Sequence, residues 1–325
     1  MNTPAPSAAV DRADASRLRL IGFFIGLLLL AAAVVTLARN SAPLTAAAQS
    51  LSAAPPELLA AAALLPIISL LLTSVSLWLL MGRFGRVAYA EMLALVGAAW
   101  LLNYLPFWPG MIGRLAYHRT VNKIPITSSA TALIWANVLN AVAAMIVGSA
   151  ALLASAAVEG DDWRLALAVA VPAPLIALAS VYARRRSDLP DPHLWRLLAT
   201  LAVRTVEVQV WAARYAVCFA LVGSPIAWGA AVALAAATQL ATLIPLGGNA
   251  LGWREWVTAF VAPILPVGLS LTTSVGLHTG LTAELVNRAF EIVLAIPIGL
   301  AAAAWVAARL RHSKATTPQS IVTRP

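Results

Sequence analysis

Leu243-Ile-Pro-Leu-Gly-Gly-Asn-Ala-Leu-Gly252, followed at once by Trp253-Arg254-Glu255, interrupts an apolar segment that otherwise runs from 226 to 256. Proline removes a helical donor and glycine loosens the backbone, so this stretch breaks a helix inside a segment whose flanks are apolar. A second stretch, Asn103-Tyr-Leu-Pro-Phe-Trp-Pro-Gly110, interrupts residues 88–112 in the same way. Pro106 is followed seven residues later by Gly113, and Pro245 seven residues later by Gly252, with Arg114 and Arg254 just beyond.

The medium around these breaks follows from composition. Of 325 residues, 61% are apolar and 11% charged, with a mean hydropathy of +0.85. An ordinary soluble domain is roughly 25% charged, so no water-soluble core absorbs this much apolar surface. The single cysteine, Cys218, excludes a disulfide framework and a thiolate metal site within one chain. His118, His193, His278 and His312 lie far apart, so no metal or other cofactor is expected. The net charge of +9 sits in short stretches between apolar segments, which argues against nucleic acid as a partner.

A helix needs ~20 apolar residues to cross the hydrocarbon. That rule places spans near 18–38, 58–81, 127–155, 164–183, 195–222 and 270–308. The last is over-long, so part of it is expected to be broken or to lie at an interface. Lysine and arginine favour the cytoplasmic side. Arg12, Arg17 and Arg19 precede the first span, Arg83 and Arg86 follow the second, Arg184 to Arg186 the fourth, and Arg309, Arg311 and Lys314 the last. Both termini, 1–17 and 309–325, then face the cytoplasm of a plasma (inner) membrane protein with one transmembrane domain, 18–308. Arg86 before the first break and Arg114, Arg119 and Lys123 after it all claim the inside, which one crossing cannot satisfy. A re-entrant hairpin does, and the same logic makes 226–256 a second hairpin entering from outside. Pro106, Gly110 and Gly113 belong to the first turn and Pro245, Gly247, Gly248 and Gly252 to the second. Repeat one (about 57–156) and repeat two (about 194–308) are then inverted copies, a transporter design in which broken helices meet near the midplane. The plainer alternative is that Pro106 and Pro245 merely kink ordinary spans.

Four arginines, Arg204, Arg214, Arg254 and Arg288, and five glutamates, Glu91, Glu207, Glu255, Glu284 and Glu291, fall inside or at the edge of apolar segments. Each costs ~2.5–3.5 kcal/mol at the bilayer centre and needs a partner or a wet cavity. Glu284, Arg288 and Glu291 lie on one helical face at spacings of four and three, and Arg204, Glu207 and Arg214 form a comparable stripe. Two such stripes facing each other make a polar interior, or else they are neutral glue between helices. Arg114 and Arg254 each follow a glycine that should open a helix, where free N–H groups and an arginine suit an anion such as phosphate. Arg114 also reads as an ordinary positive-inside residue; Arg254, beside Glu255 on the outer side, does not. Trp100, Tyr104, Phe107 and Trp108 at the first turn, and Trp253 and Trp256 at the second, fit a headgroup-level belt or the walls of a lipid-entry groove.

Asn103-Tyr-Leu-Pro, Gly110, Gly113-Arg114, Ile244-Pro, Gly247-Gly248, Gly252-Trp-Arg254-Glu255 and Asn287-Arg288 resemble the transmembrane flippase-like family of lysylphosphatidylglycerol synthetases. The resemblance spans about residues 18–308. It implies an α-helical bundle of about six spans with two re-entrant hairpins, and translocation or binding of a polar lipid. Two departures stand out. The second turn lacks the family's further proline before the glycines. Where relatives tend to show Glu-Arg-x-x-Asp after the first turn, this chain has Ala136-Asn137-Val-Leu-Asn140. The aminoacyl-transferring domain is absent, which argues against lysyl transfer.

The expected function is therefore translocation or binding of an anionic or phosphate-bearing lipid, contacted by Arg114, Arg254, Glu255, Arg288, Glu284, Glu291, Arg204, Glu207, Arg214, Asn103 and Asn140. The alternatives are a membrane-embedded headgroup or sugar transferase with Glu255 or Glu284 as base, and a non-transporting accessory subunit. A homo-oligomer or a partner lipid-modifying enzyme fits either case. No catalytic residue is assigned.

Overall fold

Pro55 and Pro56 set the start of a 26-residue helix, because a proline at the first helical position has no N–H to leave unpaired. The computed structural model describes residues 24–39, 42–105, 109–159, 194–243, 250–265 and 276–315, and all of its extended elements are helices. In chain order these are α1 (Phe24–Arg39), α2 (Ala42–Ser52), α3 (Pro56–Met81), α4 (Tyr89–Leu102), α5 (Pro109–Thr120) and α6 (Ile126–Glu159). After them come α7 (Leu194–Leu221), α8 (Trp228–Ala241), α9 (Trp253–Val261) with a 3₁₀ turn at Ala262–Ile264, and α10 (Leu277–Ala315).

Among the described residues three segments are long and apolar enough to cross a membrane: Pro56–Met81, Ile126–Ala151 and Leu277–His312. α1, α4 and α8 are shorter apolar helices. Exposure confirms which medium the bundle suits. Leu64 on α3 and Val293 and Leu300 on α10 are 56%, 67% and 59% exposed, while four arginines and four glutamates are buried. A protein folding in water reverses that arrangement. The chain is thus a helical membrane protein by length, composition and exposure.

The expected spans at 58–81, 127–155 and 195–222 correspond to α3, α6 and α7, and most of 18–38 to α1. The expected span at 164–183 lies outside the described residues. Two corrections concern the remainder. α2 was not anticipated, since APLTAAAQSLS is short and mixed in polarity. Of the two expectations for the over-long last span, a break and an interfacial part, the break does not occur from Leu277 onward, where the helix runs on through Pro297. At 39 residues it is about 58 Å long, roughly twice the hydrocarbon thickness, so it continues beyond the apolar layer.

The described helices follow the order long, short, short, long over α3–α6 and the same order over α7–α10. Between the short members the helix is interrupted in both copies, after Leu102 and after Ala241. In the first copy α5 doubles back along α4. Gly110 sits where an added Cβ would lie 2.7 Å from the Ala99 backbone, and further along α5 Leu115 and His118 share a small void with Met92 near the start of α4. Pro106, Pro245, Gly247 and Gly248 lie outside the described residues.

Small residues bring the helices close. A Cβ on Gly148 of α6 would lie 2.8 Å from Ala236 of α8, and one on Gly299 of α10 would lie 2.4 Å from Leu101 of α4. Without a hydrophobic drive between helices in lipid, such close packing is what holds them together. One apolar cluster of Ala143, Ala144, Ala212, Phe219 and Leu234 joins α6, α7 and α8, and a second of Leu77, Leu80, Met92 and Ala132 joins α3, α4 and α6. Ala33, Leu37, Ala259 and Leu281 form a third, which holds α9 between α1 and α10.

Gly252, which opens α9, has φ +78°. A Cβ there would also lie 2.1 Å from the Gly26 carbonyl oxygen of α1. Glycine is thus required twice over at this position, by conformation and by approach. The Trp256 indole N–H donates to the Leu29 carbonyl at 2.9 Å and fixes the same contact.

Candidate functional site

The 3.6-residue period brings Arg204, Glu207, Trp211 and Arg214 to one face of α7, and Glu284, Asn287, Arg288 and Glu291 to one face of α10. α9 delivers Arg254 and Glu255 from its first turn, where a carboxylate is favoured by the free N–H groups. These three helices build one buried charge network.

Glu291 is its hub. It accepts from Arg214, from Arg254 Nη2 at 3.2 Å and from Arg288 Nη1 at 3.5 Å, and the Tyr104 hydroxyl reaches it at 3.5 Å. Arg214 also donates to Asn287 Oδ1, from Nη2 at 2.7 Å and from Nε at 3.1 Å. Arg254 Nε donates to Glu284 at 2.6 Å, and Arg288 Nε donates to Glu255 at 2.9 Å. Asn287 Nδ2 closes the network by donating to Glu284 at 3.3 Å. On α7, Arg204 donates to Glu207 at 2.6 Å while the Thr73 hydroxyl from α3 donates to its other oxygen at 2.6 Å. The Trp211 ring lies under two guanidinium groups, Arg214 at 3.9 Å and Arg254 at 4.7 Å from its centroid.

A cavity of about 200 Å³ opens beside this network. Its polar wall is Asn103, Arg114, Glu207, Arg214, Arg254 and Glu291, and its apolar side includes Leu70, Val96 and Trp100. It therefore touches α5 of the first broken pair and α9 of the second. On α3, Leu70 also borders a separate apolar groove of about 340 Å³ between α3, α4 and α10, lined by Ile67, Leu93, Ile298 and Trp305.

The structure brings together nearly all the residues singled out from sequence. Glu255, Glu284 and Arg288 stand behind the cavity wall as counter-charges. Asn140 is elsewhere: on α6 it donates to Gln239 of α8 at 3.1 Å. The expected pairing changes as well. Of the two pairs the α10 stripe offers, Arg288–Glu291 forms at 3.5 Å, while Glu284 reaches across to Arg254 of α9 and Arg288 reaches also to Glu255.

The comparison of Arg114 with Arg254 is corrected too. Arg254 is the second residue of its helix, but α5 starts at Pro109, so Arg114 lies more than one turn inside and Gly113 is a helical residue with nothing within 4 Å of an added Cβ. Gly110 is likewise the second residue of α5, not part of the turn. Trp211 and Thr73 were not anticipated. Trp211 falls on the stripe of Arg204, Glu207 and Arg214, and that spacing was its visible signal. Tyr104, which fits a belt or a groove wall by sequence, touches the network hub.

Fold and site together define a class: an all-helical membrane protein with a charge-lined internal cavity between interrupted helices. No family model matches the chain, and no curated protein matches it.

Proposed function

We propose that this chain binds a polar lipid with an anionic or phosphate-bearing headgroup and moves it between the leaflets of a plasma membrane. The observation that carries the reading is the pair of adjoining spaces: a polar cavity lined by arginines and an apolar groove, with Leu70 bordering both. An amphipathic molecule fits such a pair, with its headgroup among guanidinium donors and an acyl chain along α3, α4 and α10. In this reading α4–α5 and α8–α9 are re-entrant hairpins of an inverted repeat, α3–α6 and α7–α10. The repeated order of long, short, short and long helices supports it, as does a cavity that touches both broken pairs. The resemblance to the flippase-like membrane region of lysylphosphatidylglycerol synthetases points the same way.

Reconstitution tests the proposal. Liposomes holding the purified chain should transfer a labelled anionic lipid from one leaflet to the other, and Leu70→Trp should slow transfer by obstructing the acyl path. Wild-type liposomes that leave the label where it was placed would sink it.

A further inference from the structure

Charge counting inside the bundle identifies what the cavity is short of. Arg204, Arg214, Arg254 and Arg288 are buried, and Glu207, Glu255, Glu284 and Glu291 are buried with them, four of each sign. Every one of these arginines has a carboxylate within 3.5 Å or closer. The cavity wall itself carries three arginines, Arg114, Arg214 and Arg254, against two carboxylates, Glu207 and Glu291, and Arg114 has no carboxylate partner among the described residues. Its Nε is buried without a hydrogen-bond acceptor, and the charged group whose field it feels is Arg204, a like charge. The neighbouring helices do not relieve it. Glu207 and Glu291 share the cavity wall with it, but Glu207 is engaged by Arg204 and Thr73, and Glu291 by Arg214, Arg254 and Arg288. The small void that Arg114 also lines offers Leu77, Met81, Met92, Ser129, Leu133 and His118, with no acid. The second half of the chain shows what is missing. There the long helix after the break supplies Glu284 and Glu291 to Arg254, whereas α6 reads Ala136-Asn137-Val-Leu-Asn140 and supplies no acid.

We infer that the cavity is a site for a single negative charge, in which one anionic group of the ligand occupies the place of the carboxylate that α6 lacks and pairs with Arg114. This deepens the lipid reading and rests on it for the source of the anion. A phosphodiester carries one charge and closes the balance. A fully ionised phosphomonoester carries two and leaves one uncompensated in a poorly solvated site, which is costly. A zwitterionic headgroup brings its own cation, leaving Arg114 in competition for the phosphate.

The test uses the full chain in phosphatidylcholine nanodiscs, with retained lipid measured by native mass spectrometry after adding phosphatidylglycerol or phosphatidic acid at pH 8. Phosphatidylglycerol should be retained over phosphatidylcholine by about tenfold, the size of one charge-assisted hydrogen bond, and over phosphatidic acid as well. Arg114→Gln should erase that preference and Arg114→Lys should keep part of it. Because Arg114→Gln could act by misfolding, Ser129→Asp provides the second arm. It places a carboxylate on the void that Arg114 lines, and it should lower phosphatidylglycerol retention while leaving thermal stability equal or higher. Competition by millimolar dimethyl phosphate, a free monoanionic phosphodiester, would show that the same site accepts any such anion, and competition by the dianion glycerol 3-phosphate at equal strength would overturn the single-charge assignment; no competition by either would assign the anion to lipid. Equal retention of phosphatidylglycerol and phosphatidylcholine, or an unchanged preference in Arg114→Gln, would overturn the inference. Absence of leaflet transfer with the binding preference intact would instead remove only the transport reading.

Discussion

Arg254 Nε lies 2.6 Å from Glu284 Oε1, tying the first turn of α9 to a point 30 residues further along the chain on α10. Both side chains are buried, so the bond is made in place of water. Removing one member of a buried pair strands the other, at a cost of about 3–5 kcal/mol, whereas removing both costs far less. Glu284→Leu should therefore lower the melting temperature in detergent sharply, and Arg254→Met combined with Glu284→Leu should recover much of the loss. Arg254→Met alone should be at least as damaging as Glu284→Leu, because the buried Glu284 then keeps only the neutral donor Asn287, whereas Arg254 without Glu284 still pairs with Glu291. A double variant less stable than either single one would contradict the pairing.

Two glycines that look equivalent in sequence should respond in opposite ways. Gly252→Ala forces a Cβ to 2.1 Å from the Gly26 carbonyl and asks alanine to hold φ +78°. Loss of folded protein on size-exclusion chromatography, or displacement of α1, is the expected result. Gly113→Ala adds a methyl into open space within a helix, where alanine is better than glycine by about 1 kcal/mol. It should express as well as wild type or better, with an equal or higher melting temperature.

Trp211 has two guanidinium groups over its ring, Arg214 at 3.9 Å and Arg254 at 4.7 Å from the centroid. Desolvated cation–π contacts are worth up to about 2 kcal/mol each, and phenylalanine retains a weaker ring quadrupole. Stability should fall in the order wild type, Trp211→Phe, Trp211→Ala. If the two substitutions melt at the same temperature, the ring serves only as volume.

Much of this architecture was legible because apolar runs of helical length and buried charges leave strong marks in a lipid-soluble chain. The stripes on α7 and α10 are one-dimensional patterns that survive folding. What pairs with what is not such a pattern. Spacing suggested that Glu284 and Arg288 meet along one helix, yet α9 lies close enough to offer Arg254 and Glu255, and the four groups exchange partners across the gap. The start of α5 departs from the spacing for a local reason. The distance from Pro106 to Gly113 matched that from Pro245 to Gly252, but Pro109 already has the φ that a first helical residue needs, and α5 starts there. Arg114 was singled out as a helix-end residue; its distinction in the structure is instead a missing counter-charge, which only the packed neighbours reveal.

Labelling from the two sides of the membrane tests the proposed inverted repeat. Cys218 is 2% exposed, so the native thiol should resist a membrane-impermeant maleimide, and Cys218→Ser provides a clean background. Leu105, at the end of the first pair's leading helix, is 51% exposed, and Leu243, at the matching place in the second, is 39% exposed. If the halves are inverted, Leu105→Cys and Leu243→Cys should be reached from opposite faces of the membrane in intact cells and inside-out vesicles. The basic residues around the first pair, Arg86, Arg119 and Lys123, assign its open side to the cytoplasm, so Leu105→Cys should label faster in inside-out vesicles. Labelling of both positions from one face would mean that the halves run the same way, and the repeated order of helices would then be parallel duplication without inversion.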